Sequence, residues 1–116
     1  MHSLLIINDA PYGTERFYNA LRLAHALLKQ EDAQVDLFLM ADAVTGARAG
    51  QKTPEGYYNI ELMLKRVIRA NGKVLLCGTC MDARGMVSAD MIEGTSRSTM
   101  TELAETTATA DRVLVF

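Results

Sequence analysis

Two kinds of apolar run alternate along the chain. Leu4-Leu5-Ile6-Ile7 is short and continuous, and Asn8-Asp9-Ala10-Pro11-Tyr12-Gly13 ends it. That pattern predicts a buried strand followed by a loop. Phe17, Ala20, Leu21, Ala24, Leu27 and Leu28 recur at helical spacing and predict a helix running to Gln30, with Thr14 as N-cap and Glu15 in its first turn. Val35, Leu37 and Leu39 alternate with Asp36 and Phe38, predicting a second strand that ends at Met40. The segment 41–58, ADAVTGARAGQKTPEGYY, predicts one helical turn and then a long loop. Long loops in small domains are often functional. Ile60, Met63, Leu64, Val67 and Ile68 predict a second helix, stopped by Asn71-Gly72. Val74 to Cys77 read as a third strand. A short helix near Met86–Met91 and a short extended piece are expected next. Thr99-x-x-Glu102 is a capping-box pattern that opens a last helix of about ten residues. Arg112–Phe116 closes the chain as a strand.

Strands alternating with helices predict parallel pairing, with helices on both faces of one sheet. The strands lack polar alternation, as expected when both faces are covered. The expected fold is α/β, a flavodoxin-like three-layer α/β/α sandwich with a mostly parallel sheet of about five strands, formed by residues 1–116 as a single domain. Such sheets bind ligands beyond the carboxyl ends of their strands. Tyr12, Arg48, Lys52 and Cys77 all fall on that rim.

Composition narrows the function classes. The 116 residues are 49% apolar and 22% charged, an ordinary globular balance. The net charge is −2, and no basic stripe with interleaved aromatic residues is present, so no nucleic-acid partner is expected. Lys65-Arg66 with Arg69 reads as a solvated helix face. No apolar run approaches the ~18 residues of a membrane span. MHSLLIINDAPYG lacks the cationic segment of a signal peptide, so a cytoplasmic location is expected. Cysteines there are more often reduced, catalytic or metal-binding than structural disulfides.

Both cysteines fall in one stretch, LLCGTCMDARG, as Cys77 and Cys80. Cys77 ends a buried strand and enters a turn, where helical amides or Arg84 would favour its thiolate. A buried cysteine packing as a small apolar residue is the competing reading. One C-x-x-C is half a zinc site. His2 precedes the first strand at the opposite sheet edge, and His25 lies mid-helix, so no metal is expected. A thioredoxin-like dithiol fits poorly, because Gly-Thr separates the cysteines and only Pro11 and Pro54 exist. NDAPYGTE lacks the glycines and lysine of a phosphate loop. No cofactor is expected.

The blocks NDAPYGTERFYNALRLAHAL, LFLMADAVTGARAGQKTPEGYYNIELML, VLLCGTCMDARGM and ADRVLVF, in this order, resemble the DsrE/DsrF-like family, and within it the small YchN-type proteins. The resemblance spans nearly the whole chain. It implies a flavodoxin-like fold, ring-shaped homotrimers or homohexamers, and a part in sulfur relay or sulfur oxidation. In sulfur-relay members a strand-end cysteine carries a persulfide, and Cys77 matches that position. Cys80 fits the YchN-type C-x-x-C and is expected to be a resolving or tuning thiol. Arg48, Lys52 and Arg84 would stabilise the thiolate or attract an anionic donor, with Tyr12 beside them. The expectation is a cytoplasmic sulfur carrier or sulfurtransferase that meets donor and acceptor proteins. The alternative is a non-enzymatic oligomeric binding or assembly module with structural or redox-sensing cysteines. Met81, Met86, Val87 and Met91 are apolar candidates for subunit contacts.

Overall fold

In the computed structural model, which describes residues 1–116, the alternating pattern becomes β1 (His2–Ile7), α1 (Arg16–Leu27), β2 (Gln34–Leu39), α2 (Ile60–Arg69), β3 (Lys73–Cys77), α3 (Gly78–Ala83), β4 (Thr95–Ser98), α4 (Met100–Thr109) and β5 (Arg112–Val115). Two 3₁₀ segments, Ala41–Ala47 and Ser88–Asp90, lie within the longer connections. Every strand pairing is parallel, in the order β4-β3-β2-β1-β5.

That order fixes the layers. From β1 to β4 the chain steps in one direction across the sheet, so right-handed crossovers put α1, α2 and α3 on one face. From β4 the chain returns across the whole sheet to β5, which puts α4 on the other. Leu5, Leu37 and Val74 share one face by register, and Leu4 and Phe38 share the other. All five are buried, so both faces carry core. The connections leaving β3 and β4 therefore diverge to opposite faces. A crevice of this kind at strand carboxyl ends is where open α/β sheets place ligands. Cys77 pairs with Ser98 at this point.

Several ends follow from single residues. Asn59 Oδ1 caps α2 by accepting the Leu62 amide at 3.1 Å. At the other end Asn71 takes a left-handed φ of 65°, while the Gly72 amide reaches back to the Val67 carbonyl at 2.9 Å. Gly72 is required for space, since a Cβ there would stand 2.6 Å from Val67 Cγ1. Thr99 caps α4 by accepting the Glu102 amide at 3.1 Å. The reciprocal half of the capping box is not formed, because the Glu102 carboxylate takes the Ser98 hydroxyl instead.

The chain departs from expectation in several places, the first being that α1 stops at Leu27 rather than running to Gln30. Thr14 does not cap α1: its hydroxyl donates to Asp9, and Glu15 holds the cap position without a side-chain bond. The helix expected near Met86–Met91 is only the turn Ser88–Asp90, and α3 forms earlier, directly after Cys77. Gly85, at φ 64°, ends α3 and turns the chain. Met81, Met86 and Met91 are buried in the core and offer no subunit contact surface, whereas Val87 is exposed.

Candidate functional site

The site begins where β3 stops. Cys77 is both the last residue of β3 and the N-cap of α3, and its Sγ accepts the Cys80 amide at 3.4 Å. It is only 6% exposed. Burial pushes its thiol above the ordinary value, and the neighbouring Cys80 thiol pushes the same way. The amides of Cys80 and Thr79 oppose this without prevailing. The thiolate-favouring environment expected at Cys77 is thus not found in the single chain.

Cys80 lies one helical turn further and is half-buried. Its Sγ accepts the Ala41 amide at 3.2 Å, from the start of the first 3₁₀ segment. Ala41 adopts a left-handed φ of 50°, a conformation that costs a non-glycine residue about 1 kcal/mol. Both cysteines are free thiols.

The cations are not disposed as expected. Arg84 does not reach Cys77. Its Nε and Nη2 bind Asp42 at 3.2 and 2.8 Å, and its Nη1 donates to the Cys80 carbonyl at 3.1 Å. It ties α3 to the 3₁₀ segment. The cation over this turn is instead Arg97 on β4, whose guanidinium lies against Gly78, the residue between Cys77 and Thr79. Two parallel bonds of 2.8 Å join its guanidinium to Asp82, holding the Asp82 carboxyl below its usual range. The guanidinium lies over Gly78, so a Cβ there would meet its carbon at 2.8 Å. Sequence reasoning missed Arg97 because its only signal is a lone charge in a short polar strand.

Tyr12 and Lys52 serve elsewhere. The Tyr12 hydroxyl donates to Gln51 and accepts the Ile60 amide at 3.1 Å, tying the loop after β1 to the long loop. Its ring stacks on Tyr58 at 5.7 Å. Glu61, also missed, anchors the same loop by accepting the Gly50 and Gln51 amides at 2.9 and 2.8 Å. Lys52 is exposed. Arg48 is exposed and lines an open cavity of about 470 Å³ with Ala49, Gly85, Ala89 and Asp90, beyond the end of α3. His2 bonds Asp36 at 2.9 Å and His25 bonds the Met63 carbonyl at 2.9 Å, so both rings have partners away from the thiols.

The arrangement can perform thiol chemistry: an outer and an inner sulfur side by side, with an arginine over the turn between them. The whole chain is also similar to known proteins. The sequence model of the DsrE/DsrF-like family matches residues 1–116. Protein YchN of Escherichia coli strain K12 is 47% identical over 114 residues, which cover 97% of each chain. The crystal structure of the E. coli ychN protein superposes with a TM-score of 0.92 over the whole of both chains. Sulfurtransferase TusD of Salmonella newport is 26% identical over 128 residues, spanning both chains completely. No helix is long and apolar enough to cross a membrane.

Proposed function

The chain belongs to the DsrE/DsrF-like family, and from that premise we propose that it is a cytoplasmic sulfur carrier of sulfurtransferase type, with Cys77 holding sulfane sulfur as a persulfide and Cys80 as its partner thiol. The observation that carries the reading is the position of Cys77 at the β3 carboxyl end, beside Cys80 and next to Gly78, over which the Arg97 guanidinium lies. The distant likeness to TusD supports the same chemical class. A reducing compartment suits two free thiols. Donor and acceptor are proteins or small thiols able to hold a persulfide. Arg97, over the turn between the two cysteines, takes the place beside the thiols expected of Arg84, while Arg48 and Lys52 are exposed and free to meet an anionic donor.

The protein works as a homotrimer or homohexamer in this reading. Support comes from β5, an edge strand whose Val113, Leu114 and Val115 are all exposed. Burial of Cys77 favours a second reading, a non-enzymatic assembly module whose cysteines only pack or sense oxidation.

One experiment separates the two. The protein is incubated with glutathione persulfide, alkylated and examined by peptide mass spectrometry. The carrier reading expects sulfur on Cys77 that dithiothreitol removes, and none on the double variant Cys77→Ser, Cys80→Ser. A wild-type protein that takes up no sulfur sinks it.

A further inference from the structure

We propose that Cys80 is the thiol that receives sulfur from the donor, and that Cys77 is the inner thiol to which the sulfur is then passed. This deepens the carrier reading and presupposes it. Three features converge on Cys80. It is the more open of the two thiols, whereas Cys77 is 6% exposed and cannot admit a bulky donor. Its sulfur has a backbone donor from a different element, the Ala41 amide at 3.2 Å. The amide that reaches Cys77 comes from Cys80 itself, at the longer distance of 3.4 Å. Arg84 bonds both the Cys80 carbonyl at 3.1 Å and Asp42 at 2.8 Å, which fixes α3 against the segment that supplies the Ala41 amide.

The steps balance without an external oxidant or reductant. The Cys80 thiolate attacks the outer sulfur of a donor persulfide, R–S–SH. The donor S–S bond breaks, R–S⁻ leaves, and Cys80–S–SH forms. Cys77 then attacks the same outer sulfur. The Cys80 S–S bond breaks, Cys77–S–SH forms, and the proton from the Cys77 thiol ends on Cys80. Attack of Cys77 on the inner sulfur would give a Cys77–Cys80 disulfide and release HS⁻ instead.

Burial suits the second station, since it shields the persulfide from solvent thiols. It also accounts for the spacing. Cys80 is one turn from Cys77, and α3 holds both at the crevice between β3 and β4.

The test follows glutathione persulfide loading of the wild type by quenched-flow alkylation, with fragment ions assigning the sulfur to Cys77 or Cys80. Sulfur is expected on Cys80 at the earliest times and on Cys77 later. Cys77→Ser should still load Cys80, and Cys80→Ser should load about tenfold more slowly or worse. Independently of sulfur, iodoacetamide should react faster with Cys80 in Cys77→Ser than with Cys77 in Cys80→Ser. Sulfur arriving first on Cys77, or equal alkylation rates, overturns the order and leaves the carrier reading standing. Stoichiometric sulfide with a Cys77–Cys80 disulfide overturns the inward transfer. A wild type that takes up no sulfur removes both the order and the carrier reading.

Discussion

The Arg97 guanidinium occupies the space into which a side chain at position 78 would project: a Cβ on Gly78 would stand 2.7 Å from Arg97 Nε. The absent side chain at Gly78 thus lets an arginine from β4 close over the turn between the two thiols. Gly78→Ala should push that flexible guanidinium aside and break its paired bonds to Asp82. Since the group that yields is the end of a long side chain, stability should fall by less than about 1 kcal/mol. Thiol reactivity should change more. Alkylation at neutral pH should slow severalfold, about as much as in Arg97→Met, because both remove the cation that lies over the turn between the thiols. A Gly78→Ala protein that matches wild type in alkylation rate while Arg97→Met does not would contradict this coupling.

Cys77 carries its own pH signature. Burial is the main cause of its raised pKa, so its thiolate is scarcer at neutral pH than that of an exposed cysteine. In Cys80→Ser, alkylation of Cys77 should go on rising beyond about pH 9, where an ordinary thiol of pKa about 8.5 begins to level off. Stability follows with the opposite slope. The folded value lies above the unfolded one, so the contribution is fully present below the unfolded pKa and is lost as pH rises through the folded one. Urea midpoints should therefore drop at alkaline pH in wild type and less so in Cys77→Ala. A rate plateau near neutrality would show that burial does not control this thiol.

Glu61 behaves in the reverse sense. Burial alone would raise its pKa, but Lys65 and the amides of Gln51 and Gly50 outweigh burial and lower it. The folded value lies below the unfolded one, so this contribution is present above the unfolded pKa and is lost as pH falls through the folded one. Glu61→Ala leaves two loop amides without their acceptor and should cost about 1–3 kcal/mol at neutral pH. The gap between variant and wild type should close below about pH 4. Hydrogen exchange should speed up first at Gly50 and Gln51. A pH-independent difference would mean that Glu61 acts only through packing.

The elements with strong periodicity were legible because burial alone decides them. α2 emerged from Ile60 to Arg69 with its Asn71-Gly72 stop, although the two residues divide the work: Asn71 supplies the left-handed φ and Gly72 the space. α3 was not legible. It begins on a glycine, runs six residues and buries only Gly78 and Met81, so no apolar stripe announces it. The site was half legible for the same reason. A strand-end cysteine is a local pattern, whereas Arg97 meets Gly78 and Asp82 only through the pairing of β4 with β3. Arg84 looked better placed in sequence than Arg97, yet Asp42, 42 residues away, captures it.

The free edge of the sheet offers the last test. β5 pairs with β1 on one side only, and Val113, Leu114 and Val115 are 38%, 36% and 66% exposed. An apolar edge strand left open is a template for pairing with another chain. Soluble proteins usually protect such edges with charge, proline or a covering element. Here the only charge on β5 is Arg112, at its start. If subunits meet there, Val115→Lys should weaken assembly through a buried unpaired charge, and Val113→Lys, on the same face, should act in the same direction. Light scattering of wild type at micromolar concentration should give a trimer or hexamer, and the double variant should shift toward monomer with its circular dichroism retained. Leu62→Lys is the control, because Leu62 is 61% exposed on α2, far from β5 in the fold order. If Leu62→Lys dissociates the assembly and the β5 variant does not, the interface lies on the α2 face and β5 is simply an edge. A wild-type monomer would remove the assembly altogether.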